Sequence, residues 1–208
     1  MKFVKIVLAL IVWTFSSSTP AVADTNDEQQ AYLQVKRATD DILAILVDPE
    51  QSKNTKSDAI FSIANDLIDF DLMAKLSIGK SGWKELNPKQ KKEYIGLFIK
   101  RIRSLYLKTM FSYSQQEIIV EKAEQYKPKR IAVSTYIIND SDKIELLYKF
   151  YLSDENKWRA YDIRVDGISI VQTQRSQFME MLNACTIDDF LEKLRQDDDL
   201  KRNNESKR

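Results

Sequence analysis

Few residues of this chain are suited to catalysis, and histidine is absent from all 208 positions. Without histidine the chain lacks a His-based nucleophilic triad, the usual zinc site and the commonest general base. It also lacks the motifs of a nucleophile elbow, a P-loop or a dinucleotide site. Its four glycines cannot form a glycine-rich phosphate loop. We therefore predict a protein that is not an enzyme, with no cofactor, no metal and no catalytic residue.

Asp162 and Asp166 are the remaining pair of carboxylates that could do chemistry. Four residues apart on an extended strand, they stand about 13 Å apart at roughly 3.3 Å per residue. The paired carboxylates of glycosidases stand only about 5 to 9.5 Å apart. We therefore expect Asp162 to make a structural hydrogen bond and Asp166 to belong to the turn before Gly167. A hydrolase that uses Asp162 is the alternative from the enzyme class.

Arg175 and Cys185 are the other two candidates for a specific role. Arg175 either anchors a sheet-to-helix junction through a salt bridge or lies near a ligand phosphate. Cys185 is the single cysteine and cannot form an internal disulfide. We predict that its thiol is buried and inert.

The stretch around these residues, 158–178, predicts two strands, a turn and the start of a helix. Residues 158–165 alternate, with Arg159, Tyr161, Ile163 and Val165 on one side and Trp158, Ala160, Asp162 and Arg164 on the other. Gly167 breaks the strand. Residues 168–171 resume an extended run and lead into an amphipathic helix.

Helices are predicted before this stretch, from apolar residues at three- and four-residue spacing. They cover residues 29–46, 57–70 and 71–76, and a flexible glycine-containing turn follows at 79–82. Asn87, Pro88 and Gln90 form the best helix start, because Asn87 and Gln90 fit a capping box and proline suits the first helical position. The helix from this start is the longest, about 22 residues, and continues toward Met110.

Strands are predicted after residue 113, where the period changes and β-branched and aromatic residues dominate. The candidates are 117–122, 130–138, 143–152 and 157–165, joined by short polar connections. Neighbours with such connections pair as an antiparallel meander of four to five strands. A capping box at 186–189 begins a closing helix. The fold class is therefore α+β, with helices first, then one sheet with a strongly apolar face, then closing helices.

The two ends of the chain differ from its middle. Residues 1–23 read as a cleaved signal peptide: two lysines, an apolar run too short to span a bilayer, then small residues. We expect export from the cytoplasm, a single domain over residues 24–196 and a disordered charged tail over 197–208. The formal net charge of +1, with both signs interspersed, argues against nucleic acid as a partner.

Two separated blocks resemble the MlaC-type phospholipid-binding proteins, also called the toluene-tolerance family. The first block combines a Trp-x-x-Tyr-Asp strand, a Gly-x-Ser turn and an Arg-Ser-x-Phe helix start; here these are Trp158, Tyr161, Asp162, Gly167, Ser169, Arg175, Ser176 and Phe178. The second block runs through 70–74 and continues with Gly79, Trp83, Leu86, Gln90, Tyr94 and Phe98. Thr173 and Gln174 depart from the Asn-Tyr or similar pair that many members carry there.

The resemblance implies a cone-shaped apolar pocket, similar to the nuclear-transport-factor fold, that holds the acyl chains of a glycerophospholipid. It implies a soluble, monomeric periplasmic carrier that maintains outer-membrane lipid asymmetry. The implied partners are an inner-membrane ABC transporter with a membrane-anchored substrate-capturing subunit and an outer-membrane lipoprotein complex. A carrier of another lipid, such as a hopanoid, is the closest alternative. A further alternative is a structural interaction domain whose core is filled by side chains.

Within this hypothesis the pocket walls come from the long helix, the apolar face of the sheet and the first block. The predicted lipid-binding residues are Phe98, Ile102, Leu105, Tyr106, Val133, Leu146, Tyr148, Phe150, Ile163, Val165, Ile170, Arg175 and Phe178. Their assignment to one strand face rests on alternation, and a register error of one residue would invert it.

Overall fold

The computed structural model of the chain describes residues 25–113, 115–139 and 142–205. Four helices precede a sheet and two follow it: α1 (Thr25–Val47), α2 (Lys53–Leu67), α3 (Phe70–Glu85), α4 (Pro88–Met110), α5 (Ile170–Ala184) and α6 (Ile187–Glu205). The strands are β1 (Glu117–Lys127), β2 (Arg130–Asn139), β3 (Asp142–Leu152), β4 (Trp158–Val165) and β5 (Ile168–Ser169). This order confirms the predicted α+β fold. The predicted signal peptide lies outside the described residues.

The predicted capping box fixes the start of α4, which at 23 residues is as long as α1 and is therefore not the single longest helix that the sequence predicts. The side-chain oxygen of Asn87 accepts from the Gln90 amide at 2.9 Å, and the Gln90 side-chain oxygen accepts from the Asn87 amide at 3.0 Å. Pro88 takes the first helical position, where its missing N–H costs nothing. The second predicted box, at α6, also forms between Thr186 and Asp189.

The five strands form one antiparallel sheet in the order β1-β2-β3-β4-β5. Each strand therefore pairs with the next strand in the chain, as the short connections predict. In the central pairs Thr135 stands opposite Leu146, and Val133 stands opposite Tyr148. Alternate residues of β2 and β3 thus share one apolar inner face.

A bulge in β4 makes the predicted alternation of that strand wrong. Lys149 pairs with Asp162 and the next residue of β3 pairs with Ala160, so Tyr161 is left out of the register. An extra residue reverses the alternation beyond it. Trp158, which is 2% exposed and donates through its indole N–H to Asp27 of α1 at 3.2 Å, therefore shares the inner side with Ile163.

Helix α3 also differs from the prediction of a short helix followed by a flexible turn. Gly79 has φ +75° and marks a kink, and the helix resumes after it to Glu85. Gly82 is buried, and a Cβ there would lie 2.7 Å from the Ile78 side chain and 3.1 Å from that of Leu182 in α5. The two glycines allow α3 to pack closely on α5, a tertiary role that the local pattern does not reveal.

The junction between β5 and α5 is shorter than predicted. Ser169 caps the helix by accepting from the Gln172 amide at 3.0 Å, so the extended run ends there. Ile170 and Val171, predicted as extended, lie in the first turn of α5.

The end of the chain is helical where a disordered tail is predicted. Helix α6 continues past residue 196 to Glu205, and residues 206–208 lie outside the described part. Asp197 pairs with Arg101 at 2.6 Å and Asp198 with Lys100 at 3.2 Å, both in α4. These two ion pairs join the part of α6 just beyond residue 196 to α4. Over the described ranges, no helix is long and apolar enough to cross a bilayer.

Candidate functional site

A cavity of about 480 Å³ lies between the inner face of the sheet and helices α1, α2 and α4. Most of its wall is aliphatic or aromatic. The helices and the segment before α3 contribute Thr39, Ile42, Leu43, Leu46, Ile60, Phe61, Ala64, Ile68, Phe70, Met73, Ile102, Arg103, Tyr106, Leu107, Thr109, Met110 and, from α5, Ile170. The sheet and the segment before it contribute Ser112, Tyr113, Gln116, Ile118, Thr135, Ile137, Ile144, Leu146, Tyr148, Ile163 and Val165.

The cavity opens at one end of the sheet and closes at the other. Along β3 the inner-face residues pass from Ile144, which is 36% exposed, to Phe150, which is fully buried. Along β2 they pass from the half-buried Ile137 to the fully buried Val133. Exposed polar residues such as Ser112 border the open end. The cavity is therefore a pocket that is open to solvent at one end, where exposed polar residues and Ile144 lie, and closed by buried apolar residues at the other.

Seven of the predicted site residues line this cavity. They are Ile102, Tyr106, Leu146, Tyr148, Ile163, Val165 and Ile170. The four sheet residues among them share the inner face because the bulge in β4 keeps Ile163 and Val165 opposite Tyr148 and Leu146. Alternation therefore predicts the correct face for the part of β4 beyond its bulge.

Six predicted residues lie outside the lining. Phe98 and Phe178 pack with Tyr94 and Phe190 in a filled core between α4, α5 and α6, which we call the aromatic core. Val133 and Phe150 lie on the correct face but beyond the closed end. Leu105 points away from the cavity and is 39% exposed.

Arg175 is the sixth of these residues. Its guanidinium lies against Gly79, so that a Cβ on that glycine would meet Arg175 Nε at 3.4 Å. Among the described residues Arg175 makes no ion pair, so the predicted junction salt bridge is not seen. Its contact with the α3 kink accounts for its position.

The lining from α1 and α2 was missed by sequence reasoning. Ile42 and Leu46 of α1 and Ile60 and Phe61 of α2 belong to apolar stripes that predict helices correctly. A stripe shows which side of a helix is buried, but it does not show whether protein or empty space lies against that side. No further signal in the chain distinguishes the two.

Asp162 and Asp166 have structural partners, in agreement with the sequence-based expectation. Asp162 is 6% exposed and accepts from the Ser169 hydroxyl at 2.7 Å and from the Val171 amide at 3.2 Å, which joins β4 to α5. Asp166 adopts φ +47° in the turn and accepts from the Glu145 amide at 2.9 Å. In the described ranges, no cluster of three metal-ligating side chains is present.

Seven hydroxyl side chains interrupt the apolar wall: Thr39, Tyr106, Thr109, Ser112, Tyr113, Thr135 and Tyr148. Burial raises the pKa of Tyr148 to about 12, and burial with the nearby charge of Asp162 raises the pKa of Tyr106. Both phenols are therefore protonated and uncharged near neutral pH. The cavity can receive hydrocarbon while offering a few neutral hydrogen-bond donors.

The outer face of the sheet has a different character. Arg130 stacks on both Tyr151 and Tyr161, at 5.5 and 5.7 Å from the ring centroids. Lys149 lies over Tyr126 at 5.6 Å. This polar and aromatic surface identifies the opposite, apolar face as the one that faces the cavity.

Comparisons with known proteins agree with this architecture. The family model described as MlaC protein matches residues 36–196. An intermembrane phospholipid transport system binding protein MlaC from Haemophilus influenzae is 23% identical over 199 residues, covering 91% of this chain and 90% of that protein. A solved phospholipid-binding protein from Ralstonia solanacearum, in complex with a phospholipid, superposes with a TM-score of 0.72 at 20% identity, covering 83% of this chain and 99% of that one. This chain belongs to the MlaC family.

Proposed function

We propose that the protein is a soluble periplasmic carrier that moves glycerophospholipid between the outer and inner membranes. The observation that carries this proposal is the largely apolar cavity of about 480 Å³, open at one end, in a chain of the MlaC family. A pocket of this size with few polar groups suits hydrocarbon tails. Two relatives support the same cargo: one is a binding protein of a phospholipid transport system, and the other was solved in complex with a phospholipid.

The energetics of a carrier fit a cavity without reactive groups. Two acyl chains carry about 30 methylenes, and at roughly 0.8 kcal/mol each their removal from water is worth about 24 kcal/mol. That exceeds the usual ceiling of non-covalent affinity, about 18 to 21 kcal/mol. The relevant exchange is therefore from membrane to pocket, where the tails are apolar on both sides. The free-energy change of this exchange is therefore close to zero, so partner proteins can set its direction.

The partners in this proposal are membrane complexes on both sides of the periplasm. At the inner membrane the partner is an ABC transporter with a membrane-anchored subunit that captures the lipid. At the outer membrane it is a lipoprotein complex, and the cycle maintains lipid asymmetry. In this proposal the carrier acts as a monomer and needs no catalytic residue. Asp162 and Asp166 have structural hydrogen bonds instead.

The first test is mass spectrometry of the mature chain, residues 24–208, purified from a bacterial periplasm without detergent. Native spectra followed by solvent extraction are expected to show one stoichiometric glycerophospholipid. A hopanoid-like mass would change the cargo. A protein that is empty after purification, and stays empty after incubation with liposomes, would refute the carrier function.

A matched pair of variants links the lipid to the cavity. Ala64 lines the cavity from α2, so Ala64→Phe places a ring in the space that the cargo occupies. Ala44 of α1 is exposed and outside the lining, so Ala44→Phe makes the same change elsewhere. The first variant is expected to lose most of its bound lipid and the second to retain it. Equal retention by two folded variants would show that the lipid is bound elsewhere.

A further inference from the structure

Thr135 carries a buried polar group that the fold itself leaves unsatisfied. The residue is 1% exposed, lies on the inner face of β2 and lines the cavity. Its Oγ1 has no hydrogen-bond partner among the described residues. Buried hydroxyls are normally paired, because an unpaired one loses its bonds to water without replacement. The missing partner therefore points to a molecule that enters the cavity.

The position of Thr135 along the cavity restricts what that molecule presents to it. Toward the mouth, Ile137 is the next inner-face residue of β2, about 6.6 Å away at roughly 3.3 Å per residue, and it is half-buried. Away from the mouth, the wall is closed by buried apolar residues that include Ile60, Met73 and Ile170. Thr135 thus lies between the open end of the cavity and an interior whose wall is mostly apolar.

A diacyl lipid has the same order of polarity along its length. Its charged headgroup comes first, its two ester carbonyls follow a few bonds below, and its chains are purely apolar. With the headgroup at the mouth and the chains against Ile60 and Met73, the ester carbonyls come to the level of Thr135. A carbonyl oxygen is an acceptor, and a threonine hydroxyl can donate to it after a simple rotation.

We propose that the Thr135 hydroxyl donates a hydrogen bond to an ester carbonyl of the bound lipid and so sets the depth to which the lipid enters. This inference rests on the proposed function. The site consequently distinguishes ester-linked lipids from ether-linked lipids of the same headgroup and chain length. An ether lipid lacks the carbonyl and leaves the hydroxyl unpaired, whereas the apolar wall accepts the chains of both.

The test is a competition between an ester-linked diacyl and an ether-linked dialkyl phosphatidylethanolamine of equal chain length. Delipidated protein is incubated with vesicles that contain both in equal amounts, and native mass spectrometry reports the ratio bound. The unaltered chain is expected to prefer the ester lipid by roughly three- to tenfold, the value of one net hydrogen bond. Thr135→Val, which keeps the side-chain shape, is expected to bind both lipids equally. Thr135→Ser restores the hydroxyl and the preference.

Ser134→Ala is the matched control, because it removes a hydroxyl from the opposite face of the same strand. It is expected to keep the full ester preference. Equal binding of both lipids by the unaltered chain, or a preference that survives Thr135→Val, overturns the inference while leaving the carrier function intact. Failure to bind either lipid refutes the carrier function instead. Equal binding by the unaltered chain overturns the inference even if Thr135→Val does not fold, and in that case Thr135→Ala removes the same hydroxyl and takes its place in the competition.

Discussion

Helix α4 serves two regions of the molecule that share a composition and differ in packing. Its first half places Tyr94 and Phe98 in the aromatic core, where ring centroids lie 5.4 to 6.4 Å from one another. Its second half places Ile102 and Tyr106 against the cavity. One apolar stripe thus packs against protein at one end and bounds an open space at the other. An apolar stripe shows that a surface avoids water, and the tertiary arrangement decides what covers it.

The two regions are expected to differ most in how much unfolding free energy is lost when a phenylalanine is truncated to alanine. Phe178 is fully buried in the aromatic core, so Phe178→Ala leaves a cavity and is expected to cost about 3 to 5 kcal/mol. Phe61 stacks on Phe70 at 5.4 Å but borders existing space, so Phe61→Ala in delipidated protein is expected to cost only roughly 1 to 2 kcal/mol. Urea unfolding of both variants measures the difference. Equal costs would show that the cavity closes in the absence of lipid.

The predicted site residues show how far sequence reasoning extends. Phe98 and Ile102 are one turn apart on the same stripe, and the stripe predicts the same role for both. Phe98 nevertheless packs in the core, whereas Ile102 lines the cavity. Their difference comes from α5 and α6, which supply Phe178 and Phe190 against the first half of α4 only. Periodicity is a local property, and this difference is a long-range one.

The sheet shows a second kind of limit. The meander and its apolar face follow from alternation and short connections, and both predictions are confirmed. The bulge at Tyr161 is not visible in the strand pattern, because Trp158 and Ile163 fall on opposite sides of a regular strand. The bulged pairing of β4 with β3 is what places both residues on one side of the sheet. The capping boxes at Asn87 and Thr186 were predictable because they depend on residues three positions apart.

A smaller difference is expected when side chains are enlarged instead. Ala74 is fully buried beneath Tyr94, whose hydroxyl donates to the Ala74 carbonyl at 2.9 Å. Ala74→Leu therefore overpacks a filled region and is expected to cost about 1 to 3 kcal/mol. Ala64→Leu adds the same atoms beside the cavity and is expected to cost close to nothing in delipidated protein. Thermal unfolding compares the two, and a clear destabilisation by Ala64→Leu would mean that the space is not available.

The smallest expected difference concerns the fully buried Tyr94 and the partly buried Tyr148. At neutral pH Tyr94→Phe removes the hydrogen bond to the Ala74 carbonyl and is expected to cost about 1 kcal/mol. Tyr148→Phe is expected to cost almost nothing in delipidated protein, because the Tyr148 hydroxyl has no protein partner among the described residues and faces the cavity. Urea unfolding at pH 7 measures both costs. Equal costs would show that the hydroxyl in the cavity is bonded as firmly as the one in the core.

The same two tyrosines are expected to affect stability at alkaline pH, because burial raises the pKa of both. Tyr94 is raised strongly and Tyr148 to about 12, from an ordinary value near 10. Their contribution to stability is complete below about pH 10 and falls as the pH rises further, because the unfolded chain releases protons that the folded chain retains. Each such tyrosine steepens the fall by at most about 1.4 kcal/mol per pH unit. Both phenylalanine variants are therefore expected to lose less stability than the unaltered chain between about pH 10 and pH 11. An unchanged slope for Tyr148→Phe would mean that water in the open cavity already solvates its phenolate, which would separate the two regions by hydration as well as by packing.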